Sequence, residues 1–264
     1  MNLVYTAELI GELAAKVGAY IAAEQSKLAE IEVETKSLNS LVSYVDKTAE
    51  EQIVEGLKAL VPEAGFIAEE GTEKPNNSEY QWIVDPLDGT TNFLHGLPIY
   101  SVSIALTQKV NDRFEPVIGV IYEAGQDELF IASKGNGATL NGKIISVTKT
   151  PKLQDTLLAT GFPYYDFGKM KEYLQLLAHL FENTRGLRRL GSAATDLAYV
   201  ACGRFDGFFE YGLSPWDVAA GVLIVREAGG QVREFSGGND PIFGKTIWAS
   251  NPQIADAVDF SELS

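Results

Sequence analysis

Apolar residues recur every three or four positions from Leu3 through Ala7, Ile10, Ala14 and Val17 to Ile21, with Glu and Lys between them. That period predicts an amphipathic helix over 3–28. A second helical period runs from about Lys47 to Leu60 and stops at Pro62 and Gly65. The texture then changes to β-branched and aromatic runs, and Tyr80–Asp85, Ser101–Thr107, Pro116–Tyr122 and Asp127–Ala132 predict strands. Asn136-Gly137 and Asn141-Gly142 are hairpin-type turns, which favours antiparallel pairing in this half. After Pro151, short strands at Thr156–Gly161, Leu187–Leu190, Phe205–Glu210, Gln231–Phe235 and Thr246–Ala249 alternate with helices at Tyr173–Phe181, Ala193–Cys202 and Trp216–Ala228. The polar stretch Gly71–Glu79 is the one long loop. The economical architecture is α+β, with two halves, 1–150 and 151–264, around one cleft.

Composition narrows the classes. At about 150 residues per domain, 264 residues make one large domain or two packed halves. Hydrophobic residues at 45% and charged residues at 22% match a globular chain and exclude disorder over most of its length. There are 36 acidic and 21 basic residues, a formal charge of −15, which argues against tracking nucleic acid by bulk charge. An anionic ligand then needs local help from metal ions, backbone amides or a few Arg and Lys. No apolar run reaches the roughly 18 residues of a membrane span. The first residues lack the basic and apolar blocks of a secretory signal. A single cysteine, Cys202, excludes an intrachain disulfide framework and a thiolate zinc cluster. The expected location is the cytoplasm.

Trp82–His95, WIVDPLDGTTNFLH, carries the most chemistry. Pro86 biases Asp85 towards extended geometry and interrupts the strand ladder. Gly89 permits a sharp turn, and Thr90-Thr91-Asn92 offer helix-cap residues. Asp85, Asp88 and the Leu87 carbonyl thus gather at the mouth of a strand beside the free amides of a helix start. Such oxygen donors suit Mg²⁺, and such amides suit phosphate. Plain turn chemistry explains Asp-Pro-x-Asp-Gly as well. Glu69-Glu70 follows the apolar Phe66–Ala68, and Asp46 follows Leu41–Val45. Asp217 in Ser214-Pro215-Trp216-Asp217 fits a capping box with Pro at the first helical position. Each acid alone has a structural explanation. Two carboxylates about 4 Å apart repel by about 4 kcal/mol at an effective dielectric near 20, so four that converged would stay neutral or splay apart unless divalent cations occupied the gap.

The chain resembles the inositol monophosphatase family of Mg²⁺-dependent, lithium-sensitive sugar phosphatases. Trp82–His95 is similar to the family's first signature, and Trp216–Gly221 continuing through Arg226–Gly230 to its second. Ala68-Glu69-Glu70, Gly191-Ser192-Ala193-Ala194 and Phe208-Phe209-Glu210 lie in the family's order, so the resemblance covers essentially the whole chain. It implies a layered αβαβα sandwich of the sugar-phosphatase type. The N-terminal half would carry most metal ligands, and the C-terminal half the substrate pocket and the last ligand. It implies that Glu69, Asp85, the Leu87 carbonyl, Asp88 and Asp217 bind two or three Mg²⁺, with Mn²⁺ able to substitute. Thr90 with Glu69, supported by Asp46, would position the attacking water, and the Gly89 and Thr90 amides would hold phosphate. Glu210 would accept polyol hydroxyls, and Gly191, Ser192 and Ala193 would line the same pocket. Lys36 and Glu70 would support the ligands from behind. A homodimer is implied too.

Departures bear on the substrate. Ala68 and Gly71 replace a common glycine and a frequent Ser or Thr, and Thr160-Gly161-Phe162-Pro163-Tyr164 is similar to the bacterial branch. The expected reaction is hydrolysis of inositol monophosphates by metal-activated water. Fructose 1,6-bisphosphate and adenosine 3′,5′-bisphosphate are the alternative substrates. The alternative class is an interaction protein, because bacterial relatives are implicated in transcription and ribosomal RNA complexes. RNA polymerase or nucleic acid is then the partner, with the Arg185, Arg188 and Arg189 cluster as the candidate patch, otherwise a solvated or inter-subunit surface. Other enzyme schemes fare poorly. His95 and His179 are the only histidines and fit structural roles, Cys202 sits in an apolar helical stretch, and Gly135-Asn136-Gly137 lacks the third glycine of a dinucleotide fingerprint.

Overall fold

The computed structural model describes residues 1–27, 33–37, 40–73, 76–163 and 167–263, with 33–37 and 40–42 described by their backbone course alone. The described residues form six α-helices and fourteen strands, and the two larger sheets with the helices against them stack in five layers, in the order helix, sheet, helix, sheet, helix. The expected α+β, layered αβαβα sandwich is therefore the architecture.

The outer layer is α1 (Leu3–Gln25) with α2 (Tyr44–Leu60). Ala7, Ile10, Ala14, Val17 and Ile21 form the buried stripe of α1, as its period demands. The α2 helix begins three residues before the predicted start. Ser43 is its N-cap, and Asp46 Oδ2 accepts from the Ser43 amide at 2.8 Å. A two-stranded ribbon of β1 (Val33–Ser37) and β2 (Ser40–Ser43) precedes α2.

Against these helices lies a seven-stranded sheet in sequential order. It comprises β3 (Gly65–Ala68), β4 (Tyr80–Asp88), β5 (Ser101–Val110), β6 (Arg113–Glu123), β7 (Glu128–Ser133), β8 (Ala138–Leu140) and β9 (Lys143–Ile144). Only β3 and β4 pair in parallel; the rest are antiparallel, as the Asn-Gly turns predict. Asn141 and Gly142 both take positive φ, 47° and 76°, which a tight hairpin turn requires. The signature segment Trp82–His95 takes in most of β4, the turn at Gly89 and α3 (Thr90–Leu94).

The second sheet has five strands in the order β11-β10-β12-β14-β13. These are β10 (Leu157–Thr160), β11 (Gly186–Arg188), β12 (Gly207–Tyr211), β13 (Gln231–Arg233) and β14 (Thr246–Ser250). Its outer face is covered by α4 (Met170–Asn183) and a C-terminal aromatic cluster in which Phe235 stacks on Phe260 at 4.2 Å.

Between the sheets lie α5 (Ala193–Ala201) and α6 (Pro215–Glu227). Val218 through Val225 are all buried, so α6 is apolar all round and suits only a layer with a sheet on each side. Gly119 on β6 sets how close it comes: a methyl group there would sit 2.6 Å from the Ala220 carbonyl oxygen. Both sheets hold α6 rigidly, and its first turn opens into the cleft between the halves. No helix among the described residues is long and apolar enough to cross a membrane.

Candidate active site

The cleft begins where β4 ends. The strand does not stop at Asp85; it continues to Asp88 through an irregularity in its pairing with β5, from Asp85 opposite Ser103 to Asp88 opposite Ser101. Pro86, lacking an N–H, falls inside this bulge, which turns Asp85 and Asp88 towards the same cavity. Asp85 Oδ1 accepts from the Leu87 amide at 2.9 Å, so the turn chemistry and the cleft lining are one feature. Gly89 follows with φ 97°, a conformation that disfavours any side chain, and hands the chain to α3. Thr90 Oγ1 has Asp46 Oδ1 and the Leu87 carbonyl oxygen as acceptors, each at 3.0 Å. Asp46 is thereby tied to the cleft without lining it.

The sequence left Glu50 unremarked. It stands one turn after Asp46 on the buried face of α2 and is fully buried. Its oxygens accept from the amides of Glu70 (2.7 Å) and Thr72 (2.8 Å), which clamps the segment carrying Glu69. The signal was present, since Asp46 and Glu50 share a helix face with Ala49 and Ile53. Glu69 lines the cleft; Glu70 does not, and contributes its backbone. The Lys36 side chain and Tyr164 lie outside the described residues.

The second half closes the cleft from the other side. Asp88 Oδ2 accepts from Ser192 Oγ (2.6 Å) and the Ala194 amide (2.7 Å), at the first turn of α5. Asn92 Nδ2 donates to the Ile99 and Leu190 carbonyls, both at 2.8 Å, and so fixes the loop bearing Gly191. Asp217 caps α6, accepting from the Ser214 amide at 2.7 Å, and also faces the cleft. Ser103 Oγ donates to the Trp216 carbonyl at 3.2 Å and pins that turn to β5. The parallel pairing of β10 with β12 places Gly161 beside Glu210. A methyl group on Gly161 would overlap the Glu210 carboxylate at 2.0 Å, so any side chain there would displace that carboxylate.

Glu69, Asp85, Leu87, Asp88, Gly89, Thr90, Gly191, Ser192, Ala193, Glu210 and Asp217 thus share one cleft of about 160 Å³, a volume for a small ligand and not a dinucleotide. Two further residues join them. Asp196 on α5 lines the cleft, although its place in a helix marked it as an ordinary polar position. Arg189, an exposed member of the basic cluster, lines the cleft as well, and its guanidinium stands 5.6 Å from the Phe162 ring centroid. Arg185 and Arg188 are exposed away from it. Both histidines are exposed outside the cleft. Cys202, at the end of α5, is only partly buried, packed at the edge of the core.

Electrostatics follow from this gathering. Burial drives the Asp85 carboxyl well above the usual range, and the charges of Glu69, Asp88 and Asp217 push it further. Burial, then Asp88 and Glu69, raises Asp217 in the same way. Asp88 rises to about 6, burial outweighing its hydrogen bonds from Ser192, Ala194 and Ala193. Burial also raises Asp46, against the hydrogen bonds from Ser43 and Thr90. Among the described residues, no three carboxyl, imidazole or thiol groups form a ready cage for an ion as the side chains stand. The donor chemistry nevertheless fits a hard divalent cation: several carboxylates and the Leu87 carbonyl, with no imidazole or thiol among the residues lining the cleft.

A raised acid keeps its proton in the folded protein after the unfolded chain has released its own. Its contribution to stability is complete below the unfolded value near 3.8 and is lost as pH rises through the folded value, about 6 for Asp88. Chelator-treated protein is therefore expected to melt at progressively lower temperature from pH 4 to pH 8. Added Mg²⁺ should flatten that slope by stabilising the ionised carboxylates. Calorimetric melts across the range test this; a Mg²⁺-independent slope would detach the acids from any cation.

The sequence model of the inositol monophosphatase family matches residues 3–263. Inositol-1-monophosphatase from Mesorhizobium japonicum is 42% identical over 94% of this chain and 92% of its own. Nus factor SuhB from Escherichia coli K12 is 43% identical over 93% and 91%. Among solved structures, extragenic suppressor protein suhB from Bartonella henselae superimposes with a TM-score of 0.88 at 42% identity, covering 94% of each chain. The inositol monophosphatase from Anabaena does so with a TM-score of 0.84 at 38% identity, covering all of this chain and 96% of its own. With the family model matching residues 3–263 and relatives 42% and 43% identical over most of its length, the chain belongs to the inositol monophosphatase family, a phosphatase family.

Proposed function

We propose that the protein is a Mg²⁺-dependent phosphomonoesterase that hydrolyses inositol monophosphates to inositol and inorganic phosphate. The observation that carries this reading is the meeting of Glu69, Asp85, Asp88 and Asp217 in one small cleft with Glu210. When bound, Mg²⁺ supplies charge neutralisation for the ester and lowers the pKa of a coordinated water. Asp85, Asp88, Asp217, Glu69 and the Leu87 carbonyl would hold it.

The protein's own residues do the rest. The Thr90 proton is committed to Asp46 or the Leu87 carbonyl, which turns a lone pair of Oγ1 outward to accept a hydrogen bond from the attacking water. Glu69 accepts the proton that water releases. The Gly89 and Thr90 amides hold phosphate oxygens, and Glu210 accepts hydroxyls of the departing polyol. Water adds to phosphorus in line as the ester P–O bond breaks; the leaving alkoxide takes a proton from solvent, and Glu69 returns to solvent the one it accepted, so positioning and charge neutralisation supply the catalysis.

Activity on inositol 1-phosphate, fructose 1,6-bisphosphate and adenosine 3′,5′-bisphosphate, each with Mg²⁺ and with added Li⁺, tests the substrate. Inositol 1-phosphate should be preferred, and Li⁺ should inhibit. Asp88→Asn keeps an acceptor for Ser192 and Ala194, so it should fold normally while turnover falls by about 10²-fold or more. Near-normal Mg²⁺-dependent turnover would remove Asp88 from the site. Glu210→Gln should weaken hydrolysis of inositol 1-phosphate more than that of p-nitrophenyl phosphate, which has no hydroxyls on its leaving group. Equal losses would end the polyol role. Similarity to proteins named Nus factor supports a second reading as an interaction protein, for which exposed Arg188 is the residue to change in a pull-down with RNA polymerase.

A further inference from the structure

Asp196 is a carboxyl group of the cleft with a buried oxygen that no donor among the described residues reaches. It stands in the first turn of α5, is 1% exposed and lines the cavity. Its Oδ1 is fully buried and has no hydrogen-bond partner among the described residues. The other buried acids nearby are served: Asp46 by Ser43 and Thr90, Asp88 by Ser192 and Ala194, and Glu50 by two loop amides. The helix itself does not call for an acid at this position, because Ser192 Oγ already caps α5 by accepting from the Thr195 amide at 3.2 Å. A buried carboxyl without a donor is a cost to folding, and such groups persist where function uses them.

The surroundings indicate what would supply the missing donor. Burial raises the Asp196 carboxyl well above the usual range; Glu210 and Asp88 push it further, and Arg189 alone pulls it down. Glu210 faces the same cavity from β12, in the space that the absence of a side chain on Gly161 leaves for its carboxylate. Two acids on one wall repel an anionic or purely acceptor ligand. They suit a ligand that presents hydroxyl donors on neighbouring carbons, and each hydroxyl so engaged discriminates strongly against an analogue lacking it.

We infer that Asp196 is a second hydroxyl-recognising residue of this pocket, acting beside Glu210 to select phosphate esters of polyols that carry adjacent free hydroxyl groups. The inference rests on the phosphomonoesterase reading above. It assigns the two walls of the cleft different tasks: the acids around Asp85 engage the phosphate end, and the Asp196–Glu210 pair reads the alcohol.

The test compares kcat/KM for inositol 1-phosphate and p-nitrophenyl phosphate in the parent, Asp196→Ala and Asp196→Asn, with a melting temperature for each. Asp196→Ala should lower the preference for the polyol ester by about tenfold or more, chiefly through KM, because one hydrogen bond to a charged group is lost. Its melting temperature should hold or rise, since an unsatisfied buried acid is replaced by a better helix former. Asp196→Asn keeps a donor and an acceptor in place and should restore the preference to within about threefold of the parent. An unchanged preference in Asp196→Ala overturns the inference and leaves a water-bridged acid pair instead. A lowered melting temperature with equal losses on both esters also overturns it, in favour of a structural role. A parent inactive on both esters in Mg²⁺ would overturn the phosphomonoesterase reading itself, and this inference with it.

Discussion

Like charges held together out of water are the constraint on which this molecule turns. Glu69, Asp85, Asp88 and Asp217 come from the end of β3, both ends of the bulge in β4 and the first turn of α6, and each raises the proton affinity of another. No short segment of chain could hold them so. The bulge at Pro86 turns two acids to one side, Glu50 fixes the backbone after Glu69, and α6 is pressed between two sheets so that its capping acid has nowhere else to face. The layered fold is, in this sense, a device for keeping repelling groups in register until something of opposite charge joins them.

Several of these acids do two jobs at once. Asp85 closes a turn, Asp88 sits at the start of α5, and Asp217 caps α6. Each thereby spends an oxygen on a protein donor that fixes its direction, and preorganisation of this kind is what a catalytic site needs. Structural and chemical explanations of the same residue are therefore not rivals here. Asp196 stands apart, since the fold gives its buried oxygen no donor, and the stability it costs is explicable only by what the cleft binds.

The long-period elements were legible in the sequence. The stripe from Ala7 to Ile21 gives α1, the β-branched runs give β4 to β7, and the Asn-Gly pairs give their antiparallel order. Boundaries were harder: α2 begins at Tyr44 because Ser43 and Asp46 cap it, and β4 runs past Pro86 because a bulge absorbs the missing N–H. The signature acids could be found because they cluster at turn residues within one segment. That they meet Glu69 and Asp217 is a matter of sheet order and helix placement, which local pattern does not encode; the family resemblance supplied it. Glu50 and Asp196 escaped notice for a physical reason. A polar residue on a helix or beside a short strand reads as solvated until the opposing layer is known, and here that layer is the cleft.

Direct titration of Mg²⁺ into chelator-stripped protein by isothermal calorimetry decides whether the gathered acids form a cation site. Asp85→Asn is the informative partner, because Asp85 feels all three of its neighbours while Asn still accepts from the Leu87 amide. Saturable binding in the parent, weakened about tenfold or more in the variant, is the expected result. Equal affinity in the two proteins, or no binding in the parent, would contradict it.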